Sequence, residues 1–149
     1  MRTKRKKGES KQALQNLVNK YVRLRDCAGE PGAACISCGK WTPFEKGDGG
    51  HFIAQGSSSA LRYDERNINF QCQSCNRFKH GNSHNYYIGM VKKYGQDTVD
   101  YLMEHQHDTK KWSDEEIKAL RKHYNERIKN GDFQSNTGLS VSEMWSNIQ

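Results

Sequence analysis

The sequence predicts an α+β fold, mostly helical, built around a short hairpin clamped by a metal ion. Three observations predict it. Two CxxC pairs, Cys35 with Cys38 and Cys72 with Cys75, stand 33 residues apart. Between them, turn-forming residues separate short apolar or alternating runs. Outside them, apolar residues recur at three- and four-residue spacing, as on one face of a helix. A chain of 149 residues is one domain in size. With 34% hydrophobic and 28% charged residues, its core is thin, and reinforcement by a metal is expected.

The chain begins with a basic arm, residues 1–10, expected to be flexible. Residues 1–25 carry nine Lys or Arg against the single acid Glu9, whereas the remainder has 15 basic and 16 acidic residues. The net charge of +7 therefore belongs to one end. Lys4, Arg5, Lys6 and Lys7 can contact phosphates and give salt-sensitive affinity for nucleic acid, although a run of this kind is also what a merely solvated tail looks like. No run reaches the roughly 18 consecutive apolar residues of a membrane span, and no apolar stretch follows the basic start as in a secretory signal. We therefore expect a cytoplasmic protein with no membrane partner, in which thiols stay reduced and paired cysteines serve as metal ligands.

Residues 11–131 should form the folded domain. Ala13, Leu14, Leu17, Val18, Tyr21, Val22 and Leu24 predict an amphipathic helix over 11–26, broken by the Gly and Pro of "CAGEPGAA". The stretch "GKWTPFEKGDGG" reads as turns, "HFIA" as a strand opened by His51, "QGSSSALRYDER" as a loop, and "NINFQC" as a second strand begun by Asn67. "SCNRFKHGN" predicts the first turns of a helix stopped by Gly81, and two short helices follow, divided near Gly95. The clearest helix is "WSDEEIKALRKHYNERIKNGD", with Ser113 and Glu116 forming a capping box and Gly131 at its end. Its stripe of Ile117, Leu120, Tyr124 and Ile128 faces either the core or a partner. Residues 132–149 read as a polar, mobile tail with a short helix around Met144 and Trp145.

Each CxxC pair is a knuckle whose two thiolates grip one ion across a tight turn. Four thiolates make the closed, tetrahedral shell of a structural Zn2+, worth about 10–16 kcal/mol of apparent free energy in small domains. Cys27 is left as a free thiol. A zinc ribbon needs only the cysteines, and the gap holds more: a strand histidine, His51, and a strand asparagine, Asn67. Asn76 and His80 follow the last cysteine at i and i+4, where helical side chains point the same way and could grip one cation. Asn69 shares a strand face with Asn67 and competes with it weakly.

This set resembles the HNH, or ββα-metal (His-Me finger), nucleases in the version clamped by two CxxC knuckles. The longer pattern from "LQNLVNKYVRLRD" through "CISCGK", "GDGGHF", "LRYDERNINFQCQSCN" and "KHGN" is similar to the phage recombination endonuclease family called NinG or Rap, over roughly residues 10–130. The resemblance implies that His51 is the general base, that Asn67 orients it by a hydrogen bond to the imidazole, and that Asn76, joined by His80, holds a catalytic Mg2+ or Mn2+. Relatives often carry a metal-binding aspartate just before the base. That position here is Gly50, and Asp48 is the nearest substitute. The implied activity is cleavage of branched DNA such as Holliday junctions and D-loops, in the bacterial host cytoplasm, leaving 5′-phosphate and 3′-hydroxyl ends. Arg62, Arg66, Arg77 and Lys79 flank the motif as candidate phosphate contacts. A four-way junction suits a homodimer, with the Ile117–Ile128 stripe as one candidate interface, and the Trp145 tail is a candidate dock for a recombination protein. Two other functions compete: a non-catalytic zinc-dependent DNA-binding or adaptor module, and an HNH nuclease acting on linear duplex.

Overall fold

The computed structural model describes residues 7–133, with side chains from Ser10 onward. The expectations for Lys4, Arg5 and Lys6 and for the tail around Met144 and Trp145 lie outside the described residues, as does the side chain of Lys7.

Helix α1 runs from Lys7 to Cys27 and ends where Ala28 and Gly29 take positive φ. Its apolar stripe, Leu14, Val18, Tyr21 and Val22, is fully buried. A small hairpin follows, β1 (Gly32–Ala34) pairing antiparallel with β2 (Trp41–Pro43). The sequence reading placed only turns here, because three-residue strands such as "GAA" are too short to show alternation.

The main hairpin is β3 (Gly47–His51) antiparallel to β4 (Ile68–Cys72), in the register Gly47 to Cys72 and His51 to Ile68. The expected first strand is displaced: His51 ends it rather than opening it, and its body is the glycine-rich "GDGG". Packing explains why such a poor strand former is used. A Cβ at Gly49 would lie 2.9 Å from that of Asn19 on α1, and one at Gly47 would lie 2.1 Å from the Phe70 ring. Only bare backbone fits between the helix and the β4 side chains.

After Cys72 the chain makes one wide turn, Ser74–Phe78, and then forms α2 (Ser83–Tyr94) and α3 (Gln96–Glu104), separated at Gly95 with φ 90°. Helix α4 (Asp114–Lys129) begins at the expected capping box, with both the Ser113 and Glu116 bonds in place. Among the described residues, no helix is long and apolar enough to cross a membrane.

Two cores result. One lies between α1 and α4 and contains Tyr63, Ile68, Trp112, Ile117, Leu120 and Tyr124, with the Tyr21 and Tyr124 rings 5.0 Å apart. The stripe of α4 offered as a dimer interface is thus used inside the chain. The other core packs Tyr86, Met90, Val99 and Leu102 of α2 and α3 against Ile53 and Leu61 of the loop joining β3 to β4.

Between the cores lies a buried polar junction that periodicity could not show. Arg25 of α1 donates to the carbonyls of Glu65 (2.9 Å) and Ile68 (3.0 Å) and to Asn69 Oδ1 (3.2 Å). Asp26 accepts from the Phe70 amide (2.9 Å) and from Lys93 Nζ (2.8 Å). Burial alone would raise the Asp26 carboxyl, but the charges of Arg25 and Lys93 hold it below its ordinary value.

Candidate metal centre and adjoining cleft

The hairpin register brings Cys72 beside the first knuckle. The Sγ atoms of Cys35, Cys38, Cys72 and Cys75 all lie within 4.8 Å of one another, and those of Cys38 and Cys72 are 3.8 Å apart. A tetrahedral ion with metal–sulfur bonds of about 2.3 Å needs sulfurs about 3.8 Å apart, so the spacing fits zinc. Each knuckle aims a backbone N–H at its first sulfur, Cys38 N to Cys35 Sγ and Cys75 N to Cys72 Sγ, both 3.5 Å. Asn82 adds a side-chain donor to Cys75 Sγ at 3.5 Å. These four cysteines could hold a structural metal such as zinc. Cys27 stands apart, buried against Ala33 and Phe70.

Beside this cluster opens a cleft of about 720 Å³. Its lining includes Asp48 and His51 of β3, Asn76 and Arg77 of the wide turn, Asn16, Asn19 and Arg23 of α1, and Glu45. Three of the residues singled out from the sequence, Asp48, His51 and Asn76, are therefore brought together. Asn76 Nδ2 donates to Asp48 Oδ2 at 2.9 Å.

His51 Nε2 lies 2.9 Å from the carbonyl oxygen of Arg62. A carbonyl only accepts, so Nε2 carries the proton and the lone pair of the neutral ring is left on Nδ1. Burial pushes the imidazole pKa below its ordinary value, opposed by the bond to the Arg62 carbonyl and assisted by the Arg62 charge. His51 is thereby kept neutral near pH 7, with its tautomer fixed by backbone.

Asn67 does not do this directly. Its Oδ1 accepts from Ile53 N (2.7 Å), and its Nδ2 donates to the carbonyls of Ile53 (3.0 Å) and Leu61 (3.2 Å). With all its bonds made to backbone, the buried amide has none to give the imidazole. Instead it closes the loop after His51, the loop that carries the Arg62 carbonyl. Asn69 is likewise internal, joining Arg25, Lys93 and Tyr94.

His80 departs from expectation because the helix it needed is absent. The carbonyl of Ser74 accepts from Lys79 N, five residues on, at 3.1 Å. The turn ends there, and His80 follows with φ 49°, exposed and outside the cleft lining. In a turn this wide, i and i+4 no longer stack.

Of the flanking cations, Arg66 is withdrawn from any surface role: it is buried, paired with Asp64 through two bonds of 3.0 and 2.8 Å, and stacked 4.7 Å from the Tyr101 ring centre. Arg62 is half-buried and donates to Gln15 Oε1 at 3.1 Å. Lys79 is exposed. Arg77 is exposed but grips Asp48. The α1 wall was missed, although Asn16, Asn19 and Arg23, at i, i+3 and i+7, form a polar stripe beside the apolar one. Asn82 left no sequence signal.

A family model described as "Bacteriophage Lambda NinG protein" matches residues 1–133. The ninG protein of Escherichia phage lambda is 38% identical over 115 residues, covering 77% of this chain and 53% of its own length. The ninG proteins of Escherichia phage 933W and Salmonella phage P22 are also 38% identical over 115 residues, each covered over 54% of its length. The chain thus spans about half the length of the curated relatives it matches. No solved structure matches it.

Proposed function

The chain belongs to the bacteriophage NinG family, and from that membership and the cleft we propose that it is a metal-dependent endonuclease for branched DNA, with a ββα-metal (HNH) site. One observation carries the reading: Asp48, His51 and Asn76 line a single cleft whose wall continues directly from the cysteine cluster, Asn76 following Cys75.

His51 acts as the base. Its Nε2–H is anchored on the Arg62 carbonyl, and Nδ1 takes a proton from the water that attacks the phosphodiester in line. Asn67 supports this indirectly, by holding the loop that presents that carbonyl. Asp48 and Asn76 offer carboxylate and amide oxygens, the donors a hard cation prefers, and Asp48 already pairs with a cation, the guanidinium of Arg77. Mg2+ or Mn2+ held there would stabilise charge on the departing 3′ oxygen. Arg23, Asn16 and Asn19 supply a polar wall along which a DNA strand can lie. Zinc held by the four cysteines would keep the second knuckle, and with it Asn76, against β3. On this reading the protein works in the bacterial host cytoplasm, on recombination intermediates such as Holliday junctions and D-loops.

The test is cleavage of a four-way junction and of a linear duplex at matched salt, with Mg2+ or Mn2+, by the intact chain and by His51→Ala. The junction should be cut in preference, and the variant should lose cleavage while keeping its zinc and its affinity for the junction. Preference for the duplex would remove the recombination substrate, and an active variant would remove His51 as base.

A further inference from the structure

The carboxylate of Asp48 is spoken for. Its Oδ2 accepts from Arg77 Nε and from Asn76 Nδ2, and its Oδ1 accepts from Arg77 Nη2, all at 2.9 Å. This is the two-point fork in which guanidinium and carboxylate fit best. The two partners differ in setting: the Asp48 side chain is 17% exposed and that of Arg77 54%. The carboxylate is a fixed part of the cleft wall, and the guanidinium lies over it from the open side. A divalent ion bound to Asp48 would compete with Arg77 for these oxygens, and its charge would repel the guanidinium across the shared carboxylate.

Resting on the reading of this cleft as a divalent-metal site, we propose that Arg77 is a placeholder cation: it neutralises Asp48 until the metal enters, and the exchange frees its guanidinium to grip a DNA phosphate at the cleft mouth. Before the metal arrives, Asp48 holds Arg77 back. Afterwards, Arg77 is a free fork one residue from Asn76, with the donors that suit a phosphate. Metal and DNA binding are coupled through one side chain, and the coupling is reciprocal, each tightening the other. Lys79 carries the same charge two residues on but makes no bond to Asp48, so it serves as the control.

The first measurement is Mn2+ binding to the zinc-loaded full chain without DNA, read from the paramagnetic resonance signal of free Mn2+. Arg77→Ala should bind Mn2+ about fivefold tighter and Lys79→Ala less than about twofold tighter, on the scale of exposed ion pairs. Asp48→Asn should weaken binding, and adding Arg77→Ala to it should recover nothing, which locates the gain on Asp48. An Arg77→Ala protein that binds Mn2+ no tighter than the parent, or gains equally without the carboxylate, overturns the proposal. The second measurement is anisotropy of a labelled four-way junction in chelator and in Ca2+, chosen so that the strands stay intact. The parent should bind more tightly in Ca2+, and Arg77→Ala should lose most of that gain; an undiminished gain also overturns it. Neither readout needs cleavage. A chain that exchanges Arg77 for Mn2+ yet cuts no DNA refutes the nuclease reading alone, and one that cuts DNA without the exchange refutes the placeholder alone.

Discussion

At the scale of single residues, the proposed chemistry turns on His51, and its environment sets a pH dependence. Burial lowers its pKa, so the neutral, proton-accepting ring persists to lower pH than an ordinary histidine would allow. The acid limb of a single-turnover cleavage profile should therefore fall below the ordinary value of about 6.5. A limb at or above it would contradict this account. Asn67→Ala should cost about 2–3 kcal/mol in denaturant unfolding, because it leaves the buried amide and carbonyl of Ile53 without their partner. The types of these residues were legible in the sequence, since a histidine and asparagines crowd between and beside cysteine pairs for no reason a zinc ribbon supplies. Their bonds were not, because those join residues distant in sequence. Gly50 shows why. A Cβ there would lie 2.0 Å from Oε1 of the buried Gln71, whose amide is tied to Ser37 Oγ and the Gly81 carbonyl. An aspartate here, which the HNH resemblance leads one to expect, would thus force the Gln71 side chain on the opposite strand to move. Gly50→Ala should lower the melting temperature, and Gln71→Ala in the same chain should restore part of it.

At the scale of elements, legibility followed length. Helices α1 and α4 could be read from spacing and caps, and Ser113→Ala should cost the usual cap value of about 1 kcal/mol. Strand β3 could not, because three of its five residues are glycines, chosen for close approach rather than for strand propensity. The wide turn Ser74–Phe78 was also hidden: its sequence is compatible with an ordinary helix, and the difference moves His80 out of the cleft. Around the cysteines, Asn82 gives the second knuckle a side-chain donor from outside the four thiols. Asn82→Ala should weaken zinc by about tenfold, measured by competition with a chromophoric chelator. Unchanged affinity would mean the contact is incidental.

At the scale of the whole molecule, the halves are joined by buried charge as well as by apolar packing. Arg25 and Asp26 tie α1 to β4 and α2, while Glu65, just before β4, accepts from Tyr124 (2.8 Å) and Arg127 (3.1 Å) of α4. Arg25→Met should destabilise the protein by about 3–5 kcal/mol, the scale for stripping one partner from a buried network, and the loss should appear as one cooperative transition. The sequence offered Arg25 only as one more charge near a basic end, because nothing local distinguishes a cation that folds inward. For anyone seeking a minimal version of this protein, the first helix sets a floor. A fragment starting after Cys27 would keep every cysteine knuckle and every cleft residue of the hairpin, yet it would strand the Glu65 and Ile68 carbonyls and the Phe70 amide in its interior. Transplanting the hairpin into another scaffold would meet the same obstacle, since the opening helix is its keel and has to travel with it.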